Sequence, residues 1–288
     1  MPRPMHRLTP VLAAALALLS GFLFVQYDAV SPDGSPALPL DDAYIHLQYG
    51  WQAAQGEFLQ YNPGDAPTTG ATSLLYMLVL AAGFAAGITH EAMPAVTVGA
   101  GMIAFAIAAA LLADLARRAA DLACERELTP VDAPPPLFPS WAVGLLAGGL
   151  FAGSGWMAWA FCSGMETGLL ITLVIAVLWA FTADLPALVA LLGGLAVLTR
   201  PEALILALAL WGAAWRVRHW ADTHTIRRVR LLWLSLPVLA AAIPFGINLI
   251  YTGTLSASGL QAKSWFSITP FYPLRVVGEI LRTLVQLA

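Results

Sequence analysis

Lysine is nearly absent. The 288-residue chain holds one, Lys263, and charged residues of every kind make up only 11% of it. A soluble domain keeps about a quarter of its residues charged to stay in water, so this supply excludes an ordinary soluble fold. The basic residues form no sustained patch, which argues against a nucleic-acid partner. Cysteine is equally scarce: Cys124 and Cys162 have no metal-ligand spacing, and they fall on segments expected on opposite sides of a membrane, so no disulfide is expected. The sequence also lacks the internal repeat that marks many secondary transporters. No small-residue cleavage site follows the apolar run Leu8 to Val25, so Arg3, His6 and Arg7 introduce an uncleaved first helix rather than a signal peptide.

What is present is apolar: 59% of the residues are hydrophobic and the mean hydropathy is +0.75. A bilayer-spanning helix takes about 20 apolar residues, which leaves room for roughly six to eight spans and short loops. The expected fold class is all-α, a polytopic transmembrane bundle in one domain over residues 1–288. Apolar stretches recur at 8–27, 73–90, 94–113, 141–160, 165–182, 185–199, 201–215 and 231–251. Arg3 and Arg7 place the N-terminus on the cytoplasmic side by the positive-inside rule. Residues 28–72, with six acids and neither Lys nor Arg, then form an external loop carrying short interfacial helices.

If all eight stretches crossed, the Arg-rich segment 216–230 would emerge outside, against that rule. The weakest stretch, 73–90, is short and interrupted by glycine, so it is read as interfacial or re-entrant. About seven spans remain, with 114–140 and 216–230 as cytoplasmic loops, the first closed by Pro134, Pro135 and Pro136. This parity brings the 163–167 turn, the 199–202 turn and the stretch after Tyr251 to the side of the acidic loop. Pro201 favours a break there, because proline suits a first helical turn and disfavours helix in the residue before it. The flanking spans are short enough to form a tilted or re-entrant hairpin.

The chemistry-bearing residues gather on that side. Asp41 and Asp42 are adjacent acids at a helix start, followed by Tyr44 and His46. One acid has an ordinary role in capping first-turn N–H groups, and two together call for more. Asn62 belongs to an Asn-Pro-Gly turn. Glu166, Arg200 and Glu202 are ionisable groups beside apolar segments, where charge costs several kcal/mol unless paired or solvated, which marks a functional site or a structural ion pair joining Arg200 to Glu202 or to Glu166. His46 alone reads as a polar loop residue rather than a metal ligand, and Lys263 as a surface cation on the same side.

The ordered series Asp41-Asp42-Ala43-Tyr44-Ile45, Tyr61-Asn62-Pro63-Gly64, Gly70-Ala71-Thr72-Ser73, Ser163-Gly164-Met165-Glu166-Thr167, Leu198-Thr199-Arg200-Pro201-Glu202 and Asn248 to Ser264 resembles the landmarks of the GT-C superfamily of polyprenyl-phosphate-dependent membrane glycosyltransferases, nearest its arabinofuranosyltransferase-like and protein mannosyltransferase-like branches. The resemblance implies inverting transfer of a sugar from a polyprenyl-phosphate donor to a hydroxyl of a cell-envelope glycan, lipid or protein. The work would be done outside the inner (plasma) membrane, with the N-terminus cytoplasmic. It implies catalytic roles for Asp41, Asp42 and Glu166, and substrate contacts from Tyr44, His46, Asn62, Arg200, Glu202 and Lys263, with the two cations toward the lipid phosphate. A divalent cation, Mg or Mn, on Asp42 and Glu166 is a further expectation. The chain departs from the pattern at Gln48, where relatives often carry a basic residue, and in ending at Ala288 inside an amphipathic stretch. Two other readings use the same charges: a carrier or flippase for lipid-linked sugars, and an inactive scaffold.

Overall fold

The computed structural model describes residues 3–28, 37–71, 73–125, 138–216 and 224–254, with helical positions at 278 and 282; Lys263 lies outside them. Among the described residues the chain is helical, without a strand. In order the helices are α1 (Arg3–Asp28), α2 (Asp41–Ala54), α3 (Leu74–Ala85), α4 (Met93–Glu125), α5 (Ser140–Ala152), α6 (Gly155–Cys162), α7 (Thr167–Thr182), α8 (Pro186–Thr199), α9 (Leu204–Arg216), α10 (His224–Ala240) and α11 (Ala242–Thr252), and a 3₁₀ turn at Pro201–Ala203 separates α8 from α9.

The first helix shows what kind of surroundings the bundle requires. Thr9, Ala13, Ala17 and Gly21 recur at every fourth position and are buried, whereas Val11, Leu19 and Phe22 stand more than half exposed. Small residues inward and large apolar residues outward let helix backbones approach closely, an arrangement suited to lipid and not to water. On α4 the inward residues are again mostly small, Ala108, Ala109 and Ala113 with Phe105, and Ile103 and Ile107 face outward. The chain is a membrane protein by this inside-out pattern, and Met5–Gln26, Met93–Ala123 and Leu231–Thr252 are long and apolar enough to cross a bilayer.

The helices run between two ends. His6 of α1 lies 3.4 Å from Arg117 of α4, while Gly21 lies against Met102, so α1 and α4 are antiparallel. The chain between them therefore leaves and re-enters at the same end of the bundle, and α3 within it is only 12 residues, ~18 Å, long. The α5–α6 pair runs alongside α1: Gly144 faces Thr9 and Arg117, and Cys162 faces Gly21. From there α7 descends beside α4, with Thr172 donating to Ala104 O at 3.3 Å and Trp179 Nε1 donating to Asp114 at 2.8 Å. At that far end Asp114 also pairs with Arg117 and Arg118 at 2.6 Å each, and Arg117 reaches Asp121 at 2.8 Å.

Three expectations are revised. Residues 114–125 are not loop: α4 continues to Glu125, since Asp114, Arg117, Arg118 and Asp121 pair at the i,i+3 and i,i+4 spacings that stabilise helix. The stretch 141–160 is not one straight helix, for a break at Gly153–Ser154 turns α6 by 63° from α5. Nor do all the expected seven spans have spanning length. α7, α8 and α9 hold 16, 14 and 13 residues, or ~20–24 Å, against a hydrocarbon core of about 30 Å. Among the described residues three helices meet the length requirement, four if the bent α5–α6 pair counts as one.

Among the described glycines, the tightest approach to backbone lies where α6 ends on α4. A Cβ built on Gly101 would collide with the carbonyl oxygen of Phe161, a backbone atom with no rotamer to give way. Gly101→Ala is therefore expected to lower stability by about 1–3 kcal/mol as the helices separate. Gly99→Ala, two residues away with open space at its Cβ, should have no such cost. Thermal unfolding of the two detergent-solubilised variants distinguishes them, and equal midpoints would overturn the assignment.

Candidate active site

The site grows from the start of α2. Leu40 is extended and supplies no side-chain cap, so the first turn relies on its two acids: Asp41 Oδ1 accepts from the Asp42 amide at 2.9 Å, and both carboxylates lie where the helix dipole favours negative charge. Asp41 is exposed and Asp42 half-buried. One turn later on the same face as Asp42 comes His46, which is buried. Its Nδ1 lies 2.9 Å from the Asp42 carbonyl oxygen. An oxygen of that kind only accepts, so Nδ1 carries the proton and Nε2 is directed inward. α2 is pressed onto α3 at Gly50, where an added Cβ would fall 2.7 Å from Leu80 Cβ.

Nε2 of His46 points at Glu166, 3.6 Å from Oε2. Glu166 occupies the turn between α6 and α7 and is fully buried. The preceding Gly164 has φ +74°, a left-handed conformation suited to glycine, and Leu38 covers it. Tyr76 of α3 holds the turn by donating its hydroxyl to Gly164 O at 2.6 Å, and its ring stands edge-on to His46, with centroids 5.7 Å apart. On the other side, Arg200 Nη2 lies 2.7 Å from Glu166 Oε1. Arg200 adopts the extended backbone (φ −147°, ψ 122°) that Pro201 imposes on the residue before it, which ends α8 and turns the side chain back to Glu166. The pair has ion-pair distance without hydrogen-bond alignment. Glu166 Oε1 and Oε2, and His46 Nε2, are buried without an aligned hydrogen-bond partner.

The residues singled out in the sequence thus divide into two groups. Asp42, His46, Glu166 and Arg200 come together at one end of the bundle. Glu202 is exposed and does not pair with Arg200, which settles the open ion-pair question in favour of Glu166. Tyr44 is exposed, and its hydroxyl accepts from the Leu38 amide at 3.1 Å, linking α2 to the cover of the Glu166 turn. Asn62 is an exposed turn residue, with its amide N–H and side chain both bonded to Asp65 Oδ2 at 3.0 Å. Lys263 lies outside the described residues. Tyr76 and Leu38 support the site without a sequence signal; the i,i+4 spacing of Asp42 and His46 on one helix is the signal that would have placed His46.

No group of three His, Cys, Asp or Glu side chains stands close enough to hold a metal ion among the described residues. The Glu166 oxygens face a guanidinium and an imidazole, so they do not offer a divalent cation the anionic oxygen cage it favours. Beside the site, an apolar cavity of about 190 Å³ opens between α3, α4 and α7, lined among others by Tyr76, Gly83, Met93, Gly101, Phe161 and Met165. Comparison with protein-family models, with curated proteins and with solved structures yields no match to this chain.

Proposed function

We propose that the chain is a multi-pass glycosyltransferase of the inner membrane that moves a sugar from a polyprenyl-phosphate donor to a hydroxyl of an envelope glycan, lipid or protein. The observation that carries this reading is the buried Glu166 carboxylate held between Arg200 and His46, one helical turn from Asp42. In the reaction the acceptor oxygen attacks the anomeric carbon and loses its proton to a carboxylate. The bond from that carbon to the donor phosphate breaks, its electron pair stays on the phosphate, and the configuration inverts. Asp42, half-buried at the rim, takes the base role and Asp41, exposed beside it, is the alternative; Glu166 is enclosed and acts by holding Arg200 and His46 in place. Arg200, 32% exposed at its side chain, turns toward the departing phosphate, with Lys263 as a second cation.

The exposed Asp41, Tyr44, Asn62 and Glu202 line the acceptor side in this reading, and the apolar cavity next to Met165 accommodates part of an isoprenoid chain. In this reading the N-terminus is cytoplasmic and the end of α1 that meets the site lies outside; the basic segment 216–230 supports that orientation. The test is transfer of labelled sugar from a panel of polyprenyl-phosphate sugars by the chain reconstituted in vesicles. Transfer from one donor that depends on Asp42 supports the proposal. Lipid binding or translocation with no transfer from any donor moves the assignment to a carrier.

A further inference from the structure

The site end and the bilayer do not match on one side of the molecule. On α1 the apolar run continues to Gln26, roughly 8 Å beyond Gly21, the residue that meets Cys162 just before the Glu166 turn. The α8–α9 side has no such extension. α8 lies between Asp184 and Arg200, and α9 between Glu202 and Arg216, with 14 and 13 helical residues respectively. Two charged boundaries therefore stand only ~20 Å apart. Between them Leu191, Ile205 and Leu208 are exposed at 59%, 74% and 49%. Those side chains require hydrocarbon, and the exposed Glu202 requires water.

A hydrocarbon core of about 30 Å cannot satisfy both demands. Tilting shortens a helix's reach across the bilayer, so it worsens the deficit, and a glutamate side chain is too short to make up the difference by extending toward the surface. Association with a second copy would cover those faces, and a thinner bilayer, at a modest cost per Å, is the response open to the single chain. We infer that lipids of the leaflet on the Glu166 side sink along α8–α9, bringing their headgroups down to Arg200 while the same leaflet keeps its normal height along α1. A lipid phosphate then reaches the Arg200 guanidinium laterally, from the membrane. The inference rests on the membrane character of the chain and is independent of sugar transfer.

Nitroxide labels on Ile205→Cys and on Leu19→Cys test it. Both positions are exposed, both lie near the height of the site, and neither change touches a bracketing charge. Cys124→Ser removes one native thiol, and Cys162 is buried. In oleoyl phosphatidylcholine vesicles containing a nickel-chelating headgroup lipid, the label at 205 should relax several-fold more than the label at 19. In vesicles of shorter myristoleoyl lipid the two should converge. Equal relaxation in the oleoyl vesicles would show a flat bilayer and overturn the inference. Relaxation of the 205 label by soluble nickel alone would also overturn it, by revealing a water cleft without headgroups. Neither experiment contains a donor or an acceptor, so its failure is separate from failure of the transferase reading.

Discussion

Arg200→Ala is expected to be more destabilising than Glu166→Gln, although both remove the same ion pair. Loss of Arg200 leaves a carboxylate with no exposure to water, with His46 at 3.6 Å as its remaining ion-pair partner among the described residues. Removing one partner of a buried pair costs about 3–5 kcal/mol, because the desolvated charge is left uncompensated. Loss of the Glu166 charge leaves an arginine already one third exposed, which turns to solvent at lower cost. The double variant Arg200→Ala/Glu166→Gln should recover part of the loss seen in Arg200→Ala, giving a coupling that signals direct interaction. Thermal unfolding in a mild detergent measures all three. Additive losses, or a Glu166→Gln variant less stable than Arg200→Ala, would contradict the picture of a guanidinium serving a buried acid.

Asp42→Asn is expected to act on rate instead. A positioned general base contributes on the order of 10²- to 10⁴-fold, and the amide is close in shape to the carboxylate it replaces. The variant should therefore lose transfer by that factor while keeping the contact of His46 to the backbone oxygen of residue 42. Asp41→Asn should lose less activity and little stability, because the Asn Oδ1 still accepts from the Asp42 amide at the helix start. If Asp41→Asn abolishes transfer while Asp42→Asn leaves it intact, the base assignment passes to Asp41.

The sequence displayed the charges more clearly than their geometry. Glu166 and Arg200 stood out because ionisable groups beside apolar runs demand a partner, and Pro201 announced the chain reversal that aims Arg200 backward. The choice between Glu202 and Glu166 was not legible: Glu202 is nearer in sequence, but the 3₁₀ turn exposes it while the approach of α7 to α8 encloses Glu166. His46 read as a polar loop residue because an isolated histidine carries no positional signal, yet a helix beginning at Asp41 places it one turn below Asp42 and inside the bundle. Tyr76 lay within an apolar run where tyrosine is unremarked; its contact with Gly164 is a product of tertiary packing. Helix lengths failed for a related reason. Hydropathy detects apolar residues but not a bend at Gly153–Ser154, nor a charged cluster such as Asp114 with Arg117 and Arg118 that keeps α4 helical beyond its apolar part.

The fully enclosed Glu166 also bears on the order in which the chain is made. The ribosome delivers His46 before Glu166, but Arg200 emerges only after α7 and α8 have been synthesised. An acidic side chain destined for a dry interior must therefore wait through two helices for its guanidinium, in the company of an imidazole already present. Completion of α8 then becomes the event that closes this end of the nascent protein, and a chain stalled before residue 200 should remain an open, protease-sensitive intermediate.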